Sequence, residues 1–409
     1  MGDTCNPCGG NRDRRQFLKT AAATGVALGS ADSLLAQAPV PAPANAPPAV
    51  PLVKLGKTGQ MVTKLGMGTS WSVAPSFVQQ AIAAGVRYID TSENYENGKS
   101  ETTLGQVLER TGMRKDVYLV SKNGNYRQAK GDAVLKNFED HLNPTLERLK
   151  TDYVDAYFIH GIGGPQVAML RDPSVKAAFA AMKKSGKIRF SGLSCHDALL
   201  PEVLEAVAEA GWIDQVMIKY NFRDVGGKDR HDELQRAIDK CVKANVGLVA
   251  MKTQGGAVNF PDKMKALQEK GFKKEVAAIK SVWMDDRMQV VVSEMVNRSD
   301  LRENVAASRE ALTPKEARLL EEHRQQTANL YCHGCGHLCE TAAKGVPVAT
   351  VFRYLRYYEA YGKRSAARAL YQALPPISQR LLEVVNLDEA CPHGLPVTSL
   401  LQKADRLMG

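Results

Sequence analysis

No Lys/Arg block in this 409-residue chain is long enough to form a nucleic-acid stripe, although the formal net charge is +10. That modest excess reads as a solvated basic surface, with attraction for anionic substrates or phosphates the weaker alternative. Beyond the N-terminal segment, no stretch reaches the ~18 apolar residues of a membrane helix. No integral membrane segment is therefore expected in the mature chain, nor a nucleic-acid partner. A Gly-x-Gly-x-x-Gly turn after the first strand-like run is also missing, which argues against a doubly wound nucleotide-binding sheet. What remains is ordinary: 44% hydrophobic and 24% charged residues, the balance of a soluble globular protein. The length suits one large domain and something smaller.

The first residues read as an address rather than a fold. Residues 11–19 (NRDRRQFLK) precede an apolar, small-residue stretch over 20–35, interrupted only by Asp32, and then Ala36-Gln37-Ala38. A basic start, a short apolar segment and an Ala-x-Ala site make an export signal over 1–38. Its Arg14-Arg15 core is similar to a twin-arginine signal, which carries already folded proteins to the periplasm or another extracytoplasmic space. A proline-alanine spacer over 39–51 (PVPAPANAPPAVP) follows, semi-extended and not expected to pack. Cys5 and Cys8 would leave with the signal.

From residue 64 onward, short apolar runs alternate with amphipathic segments. The runs predict strands over 64–68, 86–90, 117–122, 153–160, 188–194, 213–219, 246–252 and 289–293. Helices are expected near 76–84, 101–110, 133–149, 174–184, 201–210, 232–243, 263–280 and 300–312, with Gly85, Gly186, Gly211 and Gly271 as caps. Eight strand-helix units over about 250 residues predict a (β/α)8 barrel spanning 52–315. Residues 52–61, with Gly56 and Gly59, read as a hairpin closing the bottom of that barrel.

Three successive strands end in proton-handling residues: Asp90 with Tyr95 just beyond, Lys122, and His160. Buried strands finish that way repeatedly only if their C-terminal ends open into a site, which implies an enzyme. The set suits a carbonyl beside a hydride donor. The carbonyl oxygen becomes anionic and needs a proton donor, and a tyrosine serves if a neighbouring ammonium lowers its pKa. Asp90 would hold Lys122 charged, Lys122 would act on Tyr95, and His160 would orient the carbonyl.

Through these residues the chain resembles the aldo-keto reductases. The resemblance runs through 85–95 (GVRYIDTSENY), 98–105 (GKSETTLG), 120–122 (VSK) and 152–160 (DYVDAYFIH), and spans roughly 53–309. It implies NAD(P)H-dependent reduction of an aldehyde or ketone, or the reverse oxidation, with Tyr95 as general acid and a small-molecule carbonyl substrate. It also implies a nucleotide, NADP or NAD, across the barrel's C-terminal face, held by Gly68, Thr69, Ser194, Tyr220, Lys252, Ser293 and Asn304. Several positions depart from the family pattern. Cys195 stands in place of an Asn, Met217 in place of a Gln, and Asp300 where many NADPH users have a basic residue.

The tail carries a second signal. Residues 332–339 (CHGCGHLC) place Cys332, Cys335 and Cys339 at short spacing, and Cys391-Pro392 follows. Such a set can complete the four thiolates of one [4Fe–4S] cluster. The tail looks like the ferredoxin-type extension carried by one branch of the aldo-keto reductases, here over 325–409. Its x3 second gap and remote fourth cysteine depart from the ferredoxin run. Structural zinc, with His333, His337 and His393 at hand, and disulfides remain open. Cys195 and Cys241 read as core thiols, and 346–382 as two or three helices. Because the tetrad lies on separate strands, barrel activity with a cluster-independent donor is expected largely to survive loss of the cluster. Two alternatives stand beside the carbonyl reductase: a cluster-linked oxidoreductase with an electron-transfer partner, and a non-catalytic redox-sensing or binding barrel.

Overall fold

In a computed structural model, residues 50–70, 74–126, 130–225, 231–257, 265, 267–330, 332–334, 336–375 and 387–409 are described. The export signal and most of the spacer lie outside them. The spacer's end does pack, contrary to expectation. Val50 is buried and the Pro51 carbonyl accepts from Lys64 N at 2.8 Å.

Ten strands are described. β1 (Leu52–Lys54) and β2 (Met61–Thr63) form an antiparallel hairpin. β3 (Leu65–Gly68), β4 (Tyr88–Asp90), β5 (Tyr118–Asn123), β6 (Val154–Ile159), β7 (Ile188–Cys195), β8 (Gln215–Lys219), β9 (Gly247–Met251) and β10 (Val290–Ser293) follow. The last eight are parallel neighbours in sequence order, and β10 pairs with β3 to close a barrel. Each expected strand is present within two residues of its expected bounds. The helix Ala133–Leu149 matches its expected limits. The single helix expected over 263–280 does not form as such. Gly271, at φ +79°, ends one helical stretch, and Lys274–Val282 begins another.

The hairpin closes the barrel floor, as its glycines suggested. Lys57 N donates to Asn245 O at 2.6 Å and Lys57 Nζ to Gly211 O at 3.0 Å, both just ahead of strands. Gly56 sits at φ +41°, and a Cβ there would fall 2.3 Å from Gly247 N. Only glycine tolerates both conditions. Leu55, fully buried, plugs the interior below Tyr88, Tyr118, Val120, Phe158 and Met217.

Inside, side chains alternate along each strand, so inward residues stack in layers. The Tyr88 and Tyr118 rings stack at 5.3 Å. Gln215 bridges their hydroxyls, accepting from Tyr88 at 3.2 Å and donating to Tyr118 at 2.5 Å. Two residues further along β4, the same inward face presents Asp90. On β5, Tyr118, Val120 and Lys122 follow in the same register. The period of two thus carries Asp90 and Lys122 to the C-terminal mouth.

Thr63 locks the β2–β3 corner. Its buried hydroxyl accepts from Arg87 N and Tyr88 N at 3.1 and 3.0 Å and donates to Leu65 O at 2.9 Å. Thr63→Val keeps the shape but removes the acceptor for two backbone N–H groups. Urea unfolding is expected to show a loss of about 2 kcal/mol. A change inside about 0.5 kcal/mol would mean that other groups accept those hydrogens.

After the barrel, the helix Pro314–Gln326 opens with a capping box between Thr313 and Glu316. Helices Gly336–Ala342, Val348–Glu359, Arg364–Gln372 and Val397–Met408 then build a second core around Val351, Phe352, Leu355, Leu401 and Met408. Val348, Val351, Phe352 and Leu355 form the apolar stripe of one helix. Arg353, Arg356 and Tyr357 of the same helix face the barrel mouth. No described helix is long and apolar enough to cross a membrane.

Candidate active site

Beyond β4 the chain turns through Tyr95–Gly98, where Glu96, Asn97 and Gly98 all have positive φ, at 50°, 52° and 85°. This tight turn folds Tyr95 back over the mouth before the helix Lys99–Thr111 starts. A chain of hydroxyls pins it from below. Thr91 Oγ1 lies 2.8 Å from Ser100 Oγ, Ser100 donates to Thr69 at 2.7 Å, and Thr69 donates to Asp90 O at 2.9 Å.

The four residues expected from the sequence meet at this point. Lys122 Nζ lies 2.6 Å from Asp90 Oδ1, donates to Thr91 O at 2.7 Å and reaches the Tyr95 hydroxyl at 3.2 Å. An ammonium has three hydrogens, and all three have targets here. The Tyr95 oxygen therefore accepts from Lys122, which leaves its own hydrogen to donate elsewhere. The His160 ring stands edge-on to Tyr95 at 5.7 Å, with Nδ1 3.0 Å from Ser92 Oγ.

One expectation reverses. Burial, then the fields of Asp90 and Glu294, push the Tyr95 phenol well above its ordinary value rather than toward neutrality. The residue is held as a neutral phenol, the form that can give a proton. Burial likewise raises the Asp90 carboxyl and lowers the Lys122 ammonium, with their mutual attraction opposing both shifts.

Asp90 and Tyr95 open into a cavity of about 290 Å³. Of the residues expected to hold a nucleotide, Gly68, Thr69 and Lys252 line it. Ser293 and Asn304 do not, but they support its wall. Asn304 Nδ2 donates to Ser293 Oγ at 2.7 Å, and Ser293 donates to the wall residue Gln254 at 2.9 Å. Ser194 is buried and accepts from Gly161 N at 3.0 Å. Tyr220 is displaced from its expected place. Gln215, Met217 and Lys219 take the inward register of β8, so Tyr220 turns outward and donates to Asp285 at 2.6 Å. Met217 lies on the cavity wall and Cys195 is a buried thiol pushed up to about 12. Neither amide-reading position therefore offers an amide. Asp300 accepts from Val296 N and Asn297 Nδ2 at the start of the helix Arg298–Ala307.

The sequence reading missed the roof. Tyr361, just beyond the helix Val348–Glu359, lines the tetrad cavity, and a Cβ on Gly255 would fall 2.6 Å from its hydroxyl. Lys252 donates to Tyr357 at 2.8 Å, Arg353 to His196 Nδ1 at 2.9 Å, and Lys363 to Ser70 at 3.3 Å. The tail therefore forms part of the mouth. A helix with Arg and Tyr opposite its apolar stripe was the available signal.

Cys332, Cys339 and Cys391 line one small void of about 10 Å³ with His333 and His393, whose rings stack at 3.7 Å. Cys335 lies outside the described residues. Cys195, Cys241, Cys332 and Cys391 are free thiols. Among the described residues, no group of three or more His, Cys, Asp or Glu is placed to hold a metal ion.

Barrel, closing hairpin and tetrad together form a site of the kind that the resemblance to the aldo-keto reductases implies. Residues 64–265 match the model of the Aldo/keto reductase family. YqkF of Bacillus subtilis, an uncharacterised oxidoreductase, is 29% identical over 182 residues, 42% of this chain and 56% of that protein. The L-galactose dehydrogenase of Arabidopsis thaliana is 30% identical over 156 residues, 36% of this chain and 48% of that protein. The chain thus spans about half the length of these curated relatives. A thermostable aldo-keto reductase solved with the inhibitor epalrestat superposes with a TM-score of 0.54 at 25% identity, covering 66% of this chain and 99% of that one. An aldo-keto reductase from Klebsiella pneumoniae, in complex with NADPH, shares the fold at a TM-score of 0.52 and 21% identity, covering 66% and 94%.

Proposed function

We propose that the protein interconverts an aldehyde or ketone and its alcohol, with NADPH or NADH as the hydride partner. The observation that carries this reading is the full commitment of Lys122: its contacts orient Tyr95 as acceptor from lysine and donor to the cavity. A nicotinamide nucleotide, when bound, supplies the hydride; Gly68, Thr69 and Lys252 are the residues that would hold it. The chain's own part is proton handling. Tyr95 gives its hydrogen to the carbonyl oxygen as charge develops there, and the Lys122 ammonium stabilises the phenolate left behind. His160, held by Ser92 Oγ at 3.0 Å from its Nδ1 and edge-on to Tyr95, orients the carbonyl in this reading. The test is anaerobic NADPH oxidation with an aldehyde panel, in the parent and in Tyr95→Phe. No turnover in the parent would favour the non-catalytic reading.

Cys332, Cys335, Cys339 and Cys391 hold one [4Fe–4S] cluster in this reading. Three of these cysteines share a void, a fit in donor type though not a closed ligand set. A second reading, the cluster-linked oxidoreductase, draws on one observation. Cys332, His333 and His393 line both the cysteine void and the larger cavity beneath the roof, so a cluster there would adjoin the barrel mouth.

Export through the twin-arginine route completes the proposal. Arg14→Lys with Arg15→Lys is expected to leave folded precursor in the cytoplasm, read by cell fractionation. Unchanged export would point to ordinary secretion.

A further inference from the structure

The roof reaches the tetrad cavity at one turn. The helix Val348–Glu359 ends at Ala360, whose N–H returns to Arg356 O at 2.9 Å. Tyr361 N donates to the same carbonyl at 3.2 Å, and Lys363 N donates to Tyr357 O at 2.9 Å. Between them Gly362 holds φ +65°, the left-handed conformation that ends helices and favours glycine. The turn is thereby fixed to its helix, and the helix to the second core. The Tyr361 ring stacks on Tyr357 at 5.8 Å.

The side chains flanking Gly362 meet two different loops of the barrel. Tyr361 meets the β9 loop at Gly255, where the missing side chain leaves room for its hydroxyl. Lys363 Nζ donates to Ser70 Oγ, beyond β3, at 3.3 Å, and Ser70 donates to Glu294, beyond β10. Burial lowers the Lys363 ammonium and the field of Glu294 opposes that shift. Since β10 pairs with both β9 and β3, this short turn bridges the arc of the mouth where the barrel closes. The residues that would hold a nucleotide lie on the same arc. Thr69 directly precedes Ser70, and Lys252 belongs to the Gly255 loop and donates to Tyr357 at 2.8 Å. Gly68, Thr69, Lys252 and Tyr361 line one cavity, with Asp90 and Tyr95 on its β4 side.

We propose that the tail completes the nucleotide site: the Tyr361 ring packs against a nicotinamide nucleotide held by Gly68, Thr69 and Lys252. Gly362 and Lys363 are positioning residues for that ring. The proposal rests on the nucleotide assignment of the carbonyl-reductase reading. No proton or electron passes through Tyr361; its part is contact and the exclusion of water. Because one ligand then touches barrel and tail together, its binding and the docking of the tail favour each other by the same factor.

The test uses the full-length protein as isolated. NADPH binding is read from the nucleotide's fluorescence on titration, and its release from a chase with excess NADP⁺. Tyr361→Ala is expected to weaken binding and speed release by roughly ten-fold, on the scale of one lost aromatic contact. Tyr361→Phe keeps the ring and is expected to keep most of the affinity. Gly255→Ala leaves the tail's sequence intact but displaces the ring, and is expected to act in the same direction as Tyr361→Ala. In the parent, NADP⁺ is expected to slow proteolysis of the chain beyond the helix Pro314–Gln326. Tyr361→Ala is expected to lose that protection, with unliganded cleavage as slow as in the parent. NADPH binding and release unchanged in both Tyr361→Ala and Gly255→Ala would overturn the proposal, as would a tail that NADP⁺ does not protect. An aldehyde KM that rises in Tyr361→Ala at unchanged nucleotide affinity would set the ring against the substrate and equally overturn it. A parent that binds neither NADPH nor NADH would reject the nucleotide assignment and the proposal with it. Binding that depends on Tyr361 in a protein that reduces no aldehyde would support the proposal and reject the carbonyl chemistry.

Discussion

Tyr95→Phe is expected to lower carbonyl reduction by roughly 10²–10⁴-fold while nucleotide affinity stays within a few-fold. The substitution removes a hydroxyl whose oxygen takes one Lys122 hydrogen at 3.2 Å and whose own hydrogen serves the cavity. That proton is needed only as charge develops, so the effect falls on kcat rather than on binding. Lys122 keeps Asp90 and Thr91 O as partners, so the fold is expected to hold. The pH profile has a definite sign. Because burial, Asp90 and Glu294 raise the Tyr95 phenol, it stays protonated at neutral and mildly alkaline pH. Reduction therefore does not decline on its account as pH rises through that range. Alcohol oxidation, which needs the phenolate, increases with pH. A reductive limb that fell near neutrality and vanished in Tyr95→Phe would show the phenol to be lowered instead. Retained turnover in Tyr95→Phe would mean another group is the acid.

Cys391→Ala is expected to have the second large effect: loss of iron and sulfide, and a protease-sensitive chain beyond about residue 325. The helices after the barrel share a small core, and modules of this size commonly lean on a metal for folding energy. The consequence reaches the barrel as well. Tyr361 walls the tetrad cavity, and Tyr357 accepts from Lys252. Loosening the tail is therefore expected to lower kcat/KM. Iron, sulfide and zinc analysis with limited proteolysis of parent and variant checks this. One zinc per chain in place of iron would make the module a structural zinc site. A metal-free parent lacking free thiols at these four positions would point to disulfides.

How far the sequence reading carried depended on the type of feature. Buried parallel strands are apolar on both faces, so 117–122 and 153–160 stand out as β-branched and aromatic runs. Register within a strand is harder. The family pattern implies a Gln at position 217 of β8, whereas Gln215 lies one layer lower, bonded between Tyr88 and Tyr118. The family resemblance implies a nucleotide contact at Tyr220, yet the two-residue period turns it outward to Asp285. Neither outcome follows from a motif, because each depends on which face of the strand meets the core.

The sequence by itself determined the repeated strand-helix order, the hairpin ahead of it and the tetrad, since strand period and strand-end chemistry are local properties. Two things were decided only by the tertiary structure. One is the protonation state of Tyr95, because burial and the fields of Asp90 and Glu294 act through space and outweigh the adjacent ammonium. The other is the roof. Arg353 and Tyr357 lie more than a hundred residues from His196 and Lys252, and only packing of the second core against the barrel mouth brings their charges to one cavity.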